Sequence, residues 1–161
     1  MPSSAGRMTD LCALHTIDAA ETVQRFIDLF GENRATLARQ MLGGTLVGIC
    51  SQRLVPAVSG GLALSAEVLV NSSRMRELIV EAGPQADIRT AIAEGGFYGM
   101  RTFDQCLLDL VLTGEVKDTE AIDYASNGHD FKLMLEQAGH PLDRTKTDPA
   151  GTPAVGSSPG F

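Results

Sequence analysis

Apolar residues Ala20, Val23, Ile27 and Phe30 recur at helical spacing behind Asp18, and Asp18 with Glu21 forms a capping pair. The spacing predicts a helix over about 18–30, stopped by Gly31. Leu37, Met41, Leu42, Thr45, Leu46 and Ile49 describe a second one-sided helix, and Gly43, Gly44 and Gly48 along it predict close approach by a neighbouring backbone. Leu11–Leu14 reads as a short buried strand behind a small, polar lead-in over residues 1–10.

From Ser51 the pattern changes. Ser51–Val58 and Leu62–Val70 are apolar and β-prone, with Ser59-Gly60-Gly61 supplying turn residues, so a hairpin extending a sheet is expected. Helical patterns follow over Ser73–Glu81, Gln85–Glu94, Thr102–Leu112, Asp118–Ala125 and Gly128–Ala138. Thr102 with Gln105 is a second capping pair, and Phe103, Leu107, Leu110 and Val111 make the face behind it. Met75, Met100 and Met134 fall among apolar helical positions and read as core filling. After residue 138 the composition turns to Pro, Gly, Ser and Thr, with four of the seven prolines beyond His140, and a disordered tail over 139–161 is expected. The ordered part, 11–138, is expected to form one domain.

Composition narrows the partners. A formal charge of −7 and only three lysines oppose binding to nucleic acid or to an anionic membrane surface. Cys12, Cys50 and Cys106 are odd in number and far apart, which gives no disulfide framework and no zinc pair and fits a reducing cytoplasm. His129 and His140 have no partner at metal-ligand spacing. No apolar run reaches the ~18 residues needed to cross a bilayer, and residues 1–10 lack the order of a signal peptide. Any membrane association is therefore expected to come through partner proteins.

Several segments together resemble a known family. Ala13-Leu14-His15-Thr16-Ile17-Asp18-Ala19-Ala20, with Thr22, Arg25 and Asp28, is similar to the histidine box that follows the nucleotide-binding core of secretion ATPases. Gln40–Pro56 resembles the helix leading into a Ser-Gln-Arg-Leu-x-Pro strand, and Glu67–Asn71 the next strand. Arg74–Ile79 is similar to the arginine-bearing helix of retraction motors, with Arg76 at the arginine position. Gly99–Gln105, followed by Leu110 and Gly114, resembles the Gly-Met-x-Thr-x-Asp-Gln loop and C-terminal helix. The resemblance covers residues 11–138 and is to the C-terminal part of the type IV pilus retraction ATPases, within the type II/IV secretion ATPase superfamily. Thr9, Asp10 and Cys12 depart from the family's apolar strand before the histidine.

The resemblance implies an α/β fold, the C-terminal portion of a RecA-like P-loop ATPase domain, with short strands and a hairpin followed by a helical subdomain. It implies hexameric motors that use ATP and Mg²⁺ for pilus retraction or type II secretion. By the same resemblance His15 approaches the γ-phosphate with Thr16 assisting, and Arg25 either reaches a carboxylate of the nucleotide core or pairs with Glu21 on its own helix. Arg76 and Glu77 either contact pilus machinery or form a solvated helix face. Gln52 and Arg53 are expected to be structural. The implied partners are other motor subunits and an inner-membrane pilus platform protein.

The residues for hydrolysis are another matter. Val116, Phe131 and Thr145 precede Lys117, Lys132 and Lys146, so the sequence contains no Gly-Lys-Ser/Thr to hold phosphate and Mg²⁺. Glu67 ends an apolar run, but in the family pattern it lies downstream of the histidine box and is not the Walker B acid. By itself the chain is expected neither to bind ATP tightly nor to hydrolyse it. Two roles stand beside each other: a truncated, C-terminal fragment of a retraction motor that lacks its own Walker A and Walker B, or a non-catalytic module that docks on intact motor subunits. An unrelated enzyme built on His15 lacks a nucleophile or carboxylate at recognisable spacing. A sheet without its phosphate-loop strand is expected to expose an edge and to associate.

Overall fold

A computed structural model describes residues 10–140. Chain order is α1 (Ala19–Asp28), a 3-10 turn (Glu32–Arg34), α2 (Ala35–Thr45), β1 (Gly48–Pro56), β2 (Leu62–Val70), α3 (Ser73–Val80), α4 (Gln85–Glu94), a second 3-10 turn (Gly95–Tyr98), α5 (Phe103–Leu112), α6 (Asp118–Tyr124) and α7 (Gly128–Gln137). Residues 1–9 and 141–161 lie outside the described residues, as do nearly all of the lead-in and the tail expected from the sequence.

Asp18 caps α1, its carboxylate accepting from the Glu21 N–H at 2.7 Å. Glu21 does not close a reciprocal box on Asp18; its carboxylate reaches one residue further back and accepts from the Ile17 N–H at 3.1 Å. The strand expected at Leu11–Leu14 is absent. Those residues carry no regular structure and Leu11 is 99 % exposed, because among the described residues no strand lies beside them to complete a ladder.

The second helix is also shorter than its periodicity. It ends at Thr45, while Leu46 leaves the helical region at ψ 132° and Ile49 belongs to β1. Asn71, at the far end of β2, closes this helix end by donating its side-chain N–H₂ to the carbonyls of Gly43 at 3.0 Å and Leu46 at 2.9 Å. The close approach expected of the glycines occurs at two of three. A Cβ on Gly43 would stand 2.7 Å from Val80 of α3, one on Gly48 would stand 2.7 Å from the Leu69 carbonyl oxygen, and one on Gly44 would meet nothing.

β1 and β2 pair antiparallel from Gly48↔Val70 to Pro56↔Leu62, with Gly60 and Gly61 at positive φ in the turn. β1 therefore starts earlier than the sequence pattern predicts. The far side of β2 takes one bridge, in which Val68 and Arg101 exchange backbone hydrogen bonds at 2.9 and 3.1 Å. Among the described residues the sheet has these two strands and no others.

The hairpin runs between two apolar cores. One gathers Ala20, Val23, Ile27, Leu42, Leu69, Met75, Ile79 and Ile92 from α1–α4 and the open end of the hairpin, with Met100 from the segment after the second 3-10 turn. The other gathers Val55, Ala63, Leu107, Val111, Ala121, Phe131 and Leu135 from its turn end and α5–α7, with Val116 from the connection between α5 and α6. Met75 and Met100 are buried and Met134 packs against the second core, as their positions predict. The Thr102–Gln105 capping box at α5 is complete, with both reciprocal bonds formed.

The glycine geometry gives a paired test. Gly48→Ala forces a Cβ onto an immovable carbonyl and is expected to cost about 1–3 kcal/mol. Gly44→Ala places its methyl in open space within a helix and is expected to gain up to about 1 kcal/mol. Urea unfolding of both variants checks the contrast in sign.

Candidate functional site

On the hairpin's inward face the cross-strand pairs run Ile49/Leu69, Ser51/Glu67, Arg53/Ser65 and Val55/Ala63. The ends of this stripe are apolar and feed the two cores; its middle is polar. Glu67 is 5 % exposed and Ser65 is fully buried, an expensive placement unless partners are brought to it. The segment that meets it is the loop carrying His15.

Glu67 Oε1 accepts from the Ala19 N–H at 2.8 Å, so a buried carboxylate sits on the first turn of α1. A helix start carries unpaired N–H groups and partial positive charge, which suits an anion. Burial nevertheless pushes the Glu67 carboxyl above its ordinary range, and the neighbouring Asp18 carboxylate pushes the same way; the N–H groups of Ala19 and Phe103 and the Arg53 guanidinium oppose it. The Ser65 hydroxyl has no partner among the described residues.

Other bonds fix the loop. Arg53 donates to the Ile17 carbonyl at 3.0 Å and the Tyr124 carbonyl at 3.3 Å, and its guanidinium lies 3.9 Å from the centre of the Phe103 ring. Arg89 of α4 grips Asp18 Oδ2 through Nε at 3.0 Å and Nη2 at 2.9 Å. Thr22 donates its hydroxyl to the Asp18 carbonyl at 2.8 Å, and the Thr16 and Thr22 hydroxyls lie 2.6 Å apart.

These contacts leave His15 outside. It is exposed, and among the described residues no partner holds its ring. Thr16 stands beside it with its hydroxyl committed to Thr22. Arg25 is exposed on α1 and forms no ion pair among the described residues; Glu21 bonds Ile17 instead. Arg76 and Glu77 are exposed on α3 and belong to a separate surface, with the Arg76 stem lying over Gly43.

The segment Gly99–Gln105 buttresses the same junction. Gly99 turns at φ 78°, Met100 packs under Gly95, and Arg101 bridges β2. Phe103 lies under Arg53, Asp104 accepts from the Ser126 N–H at 2.9 Å, and Gln105 donates to the Ala93 carbonyl at 3.0 Å. Sequence reading placed Arg53 as merely structural and set Glu67 aside. The available signal was Ser65 and Glu67 on the inward positions of an otherwise apolar strand, where a carboxylate demands a partner.

His15 presents a free imidazole, but no glycine-rich turn with a following Lys is present to cradle phosphate. Among the described residues no three His, Cys, Asp or Glu side chains gather as metal ligands, and no helix is long and apolar enough to cross a membrane.

No family model matches the chain. It is 34 % identical over 118 residues to the type IV pilus retraction ATPase PilT of Pseudomonas aeruginosa, covering 73 % of this chain and 34 % of that one. It is 35 % identical over 121 residues to a twitching motility protein of Neisseria gonorrhoeae, covering 74 % and 32 %. A crystal structure of the pilus retraction motor PilT with bound ADP superposes with a TM-score of 0.62 at 30 % identity, over 75 % of this chain and 33 % of that one. The fold is thus α/β and is that of the C-terminal portion of a RecA-like motor domain. The chain belongs with the type IV pilus retraction ATPases of the type II/IV secretion ATPase superfamily, and matches their C-terminal part. It spans about a third of the length of the curated relatives it matches.

A Glu67 carboxyl pushed upward by burial implies a pH dependence of stability. The folded chain holds this proton more tightly than the unfolded chain, so the associated stability is complete below the ordinary value of 4.5 and is lost as pH climbs through the raised one. Glu67→Gln keeps an oxygen for the Ala19 N–H and cannot ionise. Its stability relative to the unsubstituted chain is therefore expected to rise across that window, read by urea unfolding at stepped pH; a difference that does not vary with pH contradicts the account.

Proposed function

We propose that these residues act as the C-terminal part of an ATP-driven pilus retraction motor subunit in the cytoplasm, presenting His15 to a phosphate group held by the phosphate-binding loop of the motor. The observation that carries this reading is a loop bonded on several sides while the His15 ring is left without a partner among the described residues. A neutral imidazole donates one N–H to a phosphate oxygen, so its bond exists with the triphosphate and is lost when the γ-phosphate leaves. Mg²⁺ and ATP supply the phosphoryl chemistry, and this chain contributes the group that responds to it.

Thr16 then acts as a brace rather than a second phosphate donor, because its hydroxyl lies against Thr22. Arg25, exposed on the same helix, points the reading toward a carboxylate on the nucleotide-binding core. Arg76 and Glu77, on their own surface, are assigned to contact with the pilus platform protein or a neighbouring subunit of the ring. Retraction rather than secretion is favoured by the names of the relatives.

Nucleotide binding and hydrolysis test this. The 161-residue chain is expected to show neither. Joined in frame behind the phosphate-binding part of the Pseudomonas aeruginosa relative, it is expected to support hydrolysis, and His15→Ala is expected to lower that rate on the order of a hundredfold. His129→Ala serves as the control and leaves the rate unchanged. Association with intact motor subunits without any effect of His15→Ala would favour the docking-module role instead.

A further inference from the structure

We infer that Arg53 is a positioning residue that couples the His15 loop to the C-terminal helices, an inference that rests on the His15 reading above. One guanidinium touches three segments: the Ile17 carbonyl of the loop, the Tyr124 carbonyl at the end of α6, and the face of Phe103 at the start of α5. Among the described residues no backbone hydrogen bond joins the loop to α6. The two segments also serve different cores, α1 behind the loop packing in the first and Ala121 with Ile122 and Ala125 in the second. Arg53 hydrogen-bonds both segments.

The chemistry requires arginine. The carbonyls at the end of α6 have no intrahelical partner, and Ile17 lies in irregular backbone, so both need a donor from elsewhere. A guanidinium sends N–H groups in two directions while its plane rests on an aromatic ring; an ammonium is a point charge without a plane. The second contact is itself braced, because Asp104 of α5 accepts from Ser126 just beyond Tyr124 and fixes the turn that presents the Tyr124 carbonyl. A shift of the loop when His15 loses its phosphate partner therefore displaces the guanidinium, and α6 is the element that feels it.

Spatial intermediacy is not coupling, so the test is a double-substitution cycle read by amide hydrogen exchange on the nucleotide-free chain. Arg53→Gln is expected to speed exchange on the order of tenfold at residues 16–20 and at 122–127 together, with residues 88–92 of α4 unchanged as the sign of an intact fold. Arg53→Lys is the milder variant and is expected to speed exchange in at least one of the two segments. Asp104→Ala frees the Ser126 turn and is expected to speed exchange at 16–20 when Arg53 is present and to have no further effect there in the Arg53→Gln background. An equal effect of Asp104→Ala at 16–20 in both backgrounds, or none in either, overturns the coupling. Should the second core loosen as a whole, the comparison at 16–20 between the two backgrounds still decides. Failure here leaves the His15 reading to its own hydrolysis test, and a silent His15→Ala leaves the coupling as a property of the fold.

Discussion

A carboxylate buried in the middle of a hairpin governs this molecule. The inward stripe of β1 and β2 is apolar at both ends and polar at Ser51/Glu67 and Arg53/Ser65, so the centre of the sheet cannot be covered by another apolar face. A buried Glu67 without a donor would cost several kcal/mol, and the start of α1 is the donor the chain supplies. That bond fixes where α1 begins, which fixes the irregular segment before it, which sets the exposed position of His15. The candidate site is in this sense a consequence of the hairpin's composition.

The same polar stripe divides the apolar interior. α1–α4 pack around the open end of the hairpin and α5–α7 around its turn end, and the segment Met100–Gln105 passes between them. Four residues of that segment have a physical task there: a bridge to β2 from Arg101, a cap from Thr102, an aromatic floor for Arg53 from Phe103, a grip on Ser126 from Asp104. A motif that looks like a signature in the sequence is, in the structure, a set of fasteners between two packed units.

Much of this was legible beforehand. The Asp18 and Thr102 caps, the hairpin turn at Ser59–Gly61 and helices α3–α7 follow from local chemistry that tertiary contacts do not reverse. The failures are equally local. Leu11–Leu14 has apolar residues but no neighbouring strand among those described, and strand formation needs a partner that a single segment's pattern does not reveal. The periodicity that carried a helix through Ile49 was cut at Leu46 because β-prone Val47 and Ile49 and the tightly seated Gly48 feed β1 instead. Glu67 and Arg53 were visible as charges in a strand pair; that they meet the His15 loop depends on contacts 48 and 36 residues apart, beyond any local rule.

The central claim is that these residues serve a motor whose phosphate-binding loop is encoded ahead of the histidine segment. Sequencing the genomic DNA and the transcript upstream of the codon for Met1 tests it most directly. The account predicts a stretch encoding Gly-x-x-x-x-Gly-Lys-Ser/Thr that can be read in register with the present chain. Intact upstream sequence with no such stretch would contradict the motor reading and leave a chain that acts only by binding.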